Sequence, residues 1–143
     1  MDYTLQALIR RVQTDKLDDD EFDTGIITRF INDTQRDIFN NYELSFQEKI
    51  FAGTLPSTST MFNVPSDLAL LQRVVLTNGT NVQDITSKYM PWRDFVQTYP
   101  DPSSNTAGDV SNWTSYAGNI ILNCPQEDEQ TLTMYYIRKP VVL

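Results

Sequence analysis

Hydrophobic positions along the chain recur at two periods, and the period changes once, near Glu48. Before it, Leu5, Leu8, Ile9 and Val12 fall at helical spacing with Arg10 and Arg11 on the far side, which predicts a short amphipathic helix begun near Asp2 or Thr4. Ile26, Ile27, Phe30, Ile31, Ile38 and Phe39 mark a second, longer helix, with Asn32, Asp33, Arg36, Asp37 and Asn40 on its other face. The acidic run Asp18, Asp19, Asp20, Glu21 suits the cap and first turn of that helix, where carboxylates meet the positive end of the helix dipole. Gly25 weakens the first turns, so the regular helix is expected to begin there, with Phe22 and Asp23 as an irregular lead-in.

From Gln47 onward the pattern shortens to strands separated by turn residues. Segments 49–55 and 61–64, joined by the polar loop 56–60, read as one hairpin. Segments 73–77 and 80–85 read as another around Asn78-Gly79, because Asn-Gly tolerates the positive φ angles of a two-residue turn. Trp92, Phe95, Val96 and Tyr99 predict a short helix near 91–99, begun by Pro91 and stopped by Pro100. Segment 101–112, rich in Pro, Ser, Asn, Gly and Asp, reads as an exposed loop. Strands over 112–116, 119–124 and 130–138 close the chain, with 125–129 as the connecting turn. The expected fold is α+β: N-terminal amphipathic helices packed with a β-rich C-terminal portion of antiparallel hairpins, which carries one short inserted helix. A helical lobe over 1–46 and a β-rich portion over 47–143 are expected to make one structural domain.

Composition narrows the chemistry. The 143 residues suffice for a moderate core without disulfides, and the single Cys124 offers no partner for one. That cysteine, before Pro125, reads as a small buried hydrophobe ending a strand. There is no histidine, so Ser-His-Asp and Cys-His nucleophile systems and HExxH zinc sites are unavailable. Eleven basic against nineteen acidic residues leave a net charge of −8, the wrong sign for gripping phosphates. No basic apolar leader and no run near the ~18–20 apolar residues of a membrane span is present, so a soluble protein made in a cytoplasm and free of membranes is expected. Asn-x-Thr sequons at Asn32, Asn78 and Asn112 are then chance occurrences.

Carboxylate-only catalysis survives these exclusions, as in a peptidoglycan hydrolase drawing its acid and base from Asp18, Asp20, Glu43, Glu48, Asp67 and Asp94. The cluster over 18–23 fails the calcium-loop pattern counted from Asp15 or Asp18 and reads as a solvated helix start. Trp92, Phe95, Tyr99, Trp113, Tyr116, Tyr135 and Tyr136 are a candidate stacking platform. Beyond Arg73 only Lys88, Arg93, Arg138 and Lys139 are basic, so core packing and subunit interfaces are the favoured uses of these rings.

The order of these signals resembles the phage head-to-tail adaptor proteins. The resemblance rests on the amphipathic first helix, the acidic approach to the second, and the string from Phe30 through Asn32, Asp33, Gln35 and Arg36 to Ile38. Downstream it continues in Phe62 to Asp67 with Leu70 and Leu71, in Trp92 to Phe95 leading to Tyr99 and Pro102, in Gly118 to Leu122, and in Tyr135 to Pro140. Asp23-Thr24-Gly25 departs from the family, whose second helix usually runs on with better helix formers, and the tail beyond Arg138 is short.

The resemblance implies a non-enzymatic virion subunit without cofactor, metal or catalytic residues. It further implies a homo-oligomeric ring, commonly dodecameric, in the neck between the portal protein and the tail nozzle or tube, through which DNA passes without specific binding. Another tail or virion assembly protein is the alternative. The residues expected at a partner interface are Arg138, Lys139, Pro140, Val141, Val142 and Leu143. Proline ends the last strand there and three apolar residues follow, to dock on a partner or to fold back over their own sheet.

Overall fold

The computed structural model describes residues 5–15, 24–42 and 44–142, and the chain divides into two compact units, Met1–Ser45 with Lys139–Leu143 and Phe46–Arg138. The acidic run at 18–21, the lead-in residues Phe22 and Asp23, Glu43 and Leu143 lie outside the described residues.

In the first unit, helix α1 spans Leu5–Asp15 and helix α2 spans Thr24–Asn41, and the two pack on each other. Ile9 and Ile27 are buried, as helical periodicity requires of an apolar stripe. α2 takes in Gly25 as its second residue, and Thr28 Oγ1 donates to the Thr24 carbonyl at 2.8 Å. Only part of the apolar face of α2 is covered. Ile27 is buried and Ile31 and Phe39 are half-buried, while Ile26, Phe30 and Ile38 are exposed. A stripe this wide exceeds what one partner helix of the same size can bury.

The second unit holds seven strands and a helix: β1 Glu48–Leu55, β2 Met61–Asn63, β3 Leu68–Asn78, β4 Asn81–Asp84, α3 Trp92–Thr98, β5 Trp113–Tyr116, β6 Asn119–Leu122 and β7 Gln130–Arg138. They form two antiparallel sheets, ordered β1-β7-β3-β4 and β2-β6-β5. β7 is the spine of the larger sheet, paired on both edges, and its alternation decides which face is the core. Leu132, Met134 and Tyr136 point inward and meet Leu55, Val74 and Leu76 of the same sheet, with Trp113, Ile120 and Leu122 from the smaller one. Between the sheets, a Cβ added at Gly53 of β1 would stand 2.5 Å from a Phe62 ring carbon of β2, so the ring packs against bare glycine backbone and would have to shift for any larger residue.

α3 lies on the opposite side of the smaller sheet. Trp92 stacks on Tyr116 with ring centroids 4.2 Å apart, and Phe95 is buried. The helix ends as expected, with the Tyr99 N–H donating to the Phe95 carbonyl at 2.7 Å ahead of Pro100.

Three sequence expectations need correction. β1 and β2 do not form a hairpin: all eight residues of β1 pair with β7, a match the three-residue β2 cannot offer, and the chain crosses to the other sheet between them. The β3–β4 hairpin is real, but its two turn residues are Gly79 and Thr80, with Asn78 paired to Asn81. This register sets Ile85 beside Val74, the Ile85 N–H donating to the Val74 carbonyl at 3.1 Å, and both side chains are buried. An Asn78-Gly79 turn would instead place Ile85 across from the exposed Gln72. Segment 101–112 is no simple exposed loop: Val110 is buried in the core cluster, and Asn123 stitches the segment down through hydrogen bonds from the Ser111 and Asn112 amides to its Oδ1.

Candidate functional site

The chemistry-bearing residues come first. Asp67 sits in the turn before β3, receives the Lys49 ammonium at 2.9 Å and accepts from the Tyr136 hydroxyl at 2.8 Å. The Lys49 hydrogen bond, then that of Tyr136, hold its carboxyl below the ordinary range, while burial, ahead of Asp67 itself, pushes the Tyr136 phenol up. Asp84, at the end of β4, is held at about 2 by the Thr86 hydroxyl at 2.6 Å and the Arg73 guanidinium at 2.8 Å. A general acid needs the opposite shift, toward neutrality, so neither carboxylate is tuned for that role. Glu48 and Asp94 are exposed, on β1 and in the first turn of α3, and Asp18, Asp20 and Glu43 lie outside the described residues. Among the described residues no group of three or more Asp, Glu, Cys or His is placed to hold a metal ion.

Cys124 is buried beyond the end of β6, its thiol pushed up by burial and donating to the Gly108 carbonyl at 3.4 Å. Of the seven aromatic residues, Phe95, Trp113 and Tyr136 are buried, and the Trp113 indole N–H donates to the Ile85 carbonyl at 2.6 Å. Those rings pack the interior and leave no continuous stacking platform.

What the fold exposes is apolar surface. β7 delivers the chain to Arg138, half-buried at the strand end, after which Lys139 is exposed and Pro140 half-buried. Val141 and Val142 follow, 60% and 77% exposed. Sequence reasoning had pointed to this tail but had missed a second surface, the outer face of the larger sheet. Across β1, β7, β3 and β4 the residues whose partners are Thr131, Thr133, Tyr135 and Ile137 turn away from the core. Ile50, Leu70 and Val82 are exposed on that face, while Val75 and Ile137 on the same face are buried; Ile50 stands beside Tyr135, over which the Arg73 guanidinium lies at 5.5 Å. The alternation of β7 carries this signal, and it becomes readable only once β1 and β3 are known to flank that strand.

The helical unit exposes Ile26, Phe30 and Ile38 on α2, and no helix among the described residues is long and apolar enough to cross a membrane. Beside β4 lies an open cleft of about 510 Å³, lined by Asn81, Val82 and Gln83 together with Asp109, Glu127 and Asp128.

No curated protein matches the chain at a significant level. The sequence profile of the SU10 adaptor protein family, however, matches residues 3–143, nearly the whole length, and the chain belongs to this family of phage head-to-tail adaptors.

Proposed function

We propose that the protein is a non-enzymatic subunit of a ring in the virion neck, joined to the portal protein on one side and to the tail nozzle or tube on the other, with DNA passing through its centre. The observation that carries this reading is the family match over residues 3–143. Exposed apolar surface on three separate elements, α2, the outer sheet face and the tail at Val141 and Val142, supports it, because a chain with so much unburied apolar area is suited to assembly.

The ring is homo-oligomeric, a dodecamer to match the portal. Two amphipathic helices close no core alone, so the exposed part of the helical stripe is suited to burial in an assembly. The net charge of −8 suits a conduit wall, which must let a polyanion slide without holding it. Residues 138–143 form the portal contact: Val141 and Val142 bury on the partner, and Arg138 and Lys139 orient the approach toward an acidic surface.

The test is co-sedimentation of the purified chain with portal rings, followed by electron microscopy of the pellet. A ring of density stacked on the portal is the expected result. A chain that stays in the supernatant at high portal excess, or that pellets without forming a ring, overturns the proposal.

A further inference from the structure

We infer that the larger sheet runs on from one subunit into the next, the free edge of β4 in one copy pairing antiparallel with the free edge of β1 in its neighbour. This rests on the ring reading above and names the surface through which the ring closes.

Strand polarity is the first ground. Every junction in the order β1-β7-β3-β4 is antiparallel, so β1 and β3 run one way and β7 and β4 the other. The strand that extends this alternation past β4 must run as β1 does. A second copy related by rotation presents β1 in that direction, with its outer face on the same side. An odd number of strands would bring the two edges together parallel. The contact is heterologous, head to tail, which is the kind that closes a ring.

The state of the edges is the second ground. β1 is eight residues long, contains no proline, and is exposed over its first five residues on both faces. Its lysine, the device that usually blunts an open edge, is drawn to Asp67 at 2.9 Å. β4, the other edge of this sheet, is four residues long; in the smaller sheet β2 has three residues, and β5, also of four, is packed by α3. A long open edge of this kind pairs with whatever backbone fits it.

The third ground is what joining the edges would bring together. Ile50 and Val82 are 62% and 63% exposed and stand on the same outer face, one at each edge of the sheet. A register that keeps the outer faces continuous sets Val82 opposite Glu48, Ile50, Ala52 or Thr54 of the neighbour; opposite Ile50 or Ala52 it covers apolar surface on both, and these are the two registers inferred. One chain thus holds both halves of the contact, which favours a second copy over an unrelated strand.

Cysteine cross-linking on portal-assembled material tests this. In a Cys124→Ala background, Val82→Cys is combined with Ile50→Cys or with Ala52→Cys, and each is also made singly. Directly opposed antiparallel residues have Cα atoms about 4.5–5.5 Å apart, within disulfide reach. On oxidation one of the double variants should give a ladder of covalent multimers on a non-reducing gel, and the single variants should stay monomeric. Covalent dimers from Ile50→Cys alone would mean that β1 pairs with β1 across a two-fold axis, which overturns the inference. Rings visible by microscopy without a ladder from either double variant also overturn it, while leaving the ring reading intact. Absence of any ring brings down both.

Discussion

Ala117 has a φ of 51°, in the left-handed region where a Cβ crowds the backbone, and Gly118 beside it has a φ of 77°. Together they form the two-residue turn between β5 and β6, closed by the pairing of Tyr116 with Asn119. Two positive φ values in succession are the mark of a type I′ turn, whose favoured first residue is asparagine. Ala117→Asn should therefore stabilise the protein by about 0.5–1 kcal/mol, the strain of a left-handed non-glycine residue being about 1–2 kcal/mol and asparagine relieving part of it. Thermal unfolding of the variant checks this, and an unchanged or lower melting temperature would show that the turn is not strained. Nothing in the alternation of neighbouring residues announces such a position. The same is true of Asn123, which accepts from two backbone amides and whose own carbonyl receives the Asn105 side chain at 2.7 Å. Hydrogen-bond hubs depend on which backbone groups the fold leaves unpaired, and a single residue type carries no trace of that. Cys124 was legible because burial of a lone small thiol follows from its chemistry.

The existence of helices and strands was legible from local pattern, whereas strand pairing and the register of one turn were not. α1, α2 and α3 repeat an apolar stripe within their own length, so their existence follows from local spacing. β1 shows where locality ends: its neighbour in sequence is β2, yet its partner is β7, about eighty residues on, the three-residue β2 being too short to pair its eight residues. The hairpin of β3 and β4 lies between these cases. Its place was visible in Asn78-Gly79, but the core claimed Ile85 and moved the turn by one residue to Gly79-Thr80. Gly79 has a φ of +57° with no atom within 4 Å of an added Cβ, so any penalty there is conformational and not steric crowding from a neighbour. Gly79→Val should destabilise by roughly 1–3 kcal/mol, whereas Gly79→Asn should be nearly neutral, since asparagine tolerates positive φ. Chemical denaturation of both variants measures the difference. Equal midpoints would mean the hairpin does not rely on that dihedral.

At the scale of the whole molecule, the charge sign, the missing imidazole and the order of motifs already pointed to assembly, because those properties survive any error in strand pairing. The exposed apolar surfaces were only half legible. The tail stood out as valines following a proline, while the outer sheet face needed the order β1-β7-β3-β4 before Ile50 and Val82 could be placed on one side. The tail also admits a decisive experiment. Val141 and Val142 are 60% and 77% exposed, so replacing both with serine removes little burial from the isolated chain, and its melting temperature should stay within about 2 °C, as for most surface changes. If the tail seats on the portal, the same change removes two buried valines there, each worth about 1.5 kcal/mol or more before ordering, and co-sedimentation should weaken by roughly tenfold or more. Charge reversal at Arg138 should act differently, slowing association and steepening its salt dependence more than it speeds release. A Val141→Ser, Val142→Ser chain that melts several degrees lower yet pellets with portal rings as the parent does would assign the tail to its own fold, and the portal contact would then have to be sought on the outer sheet face or along α2.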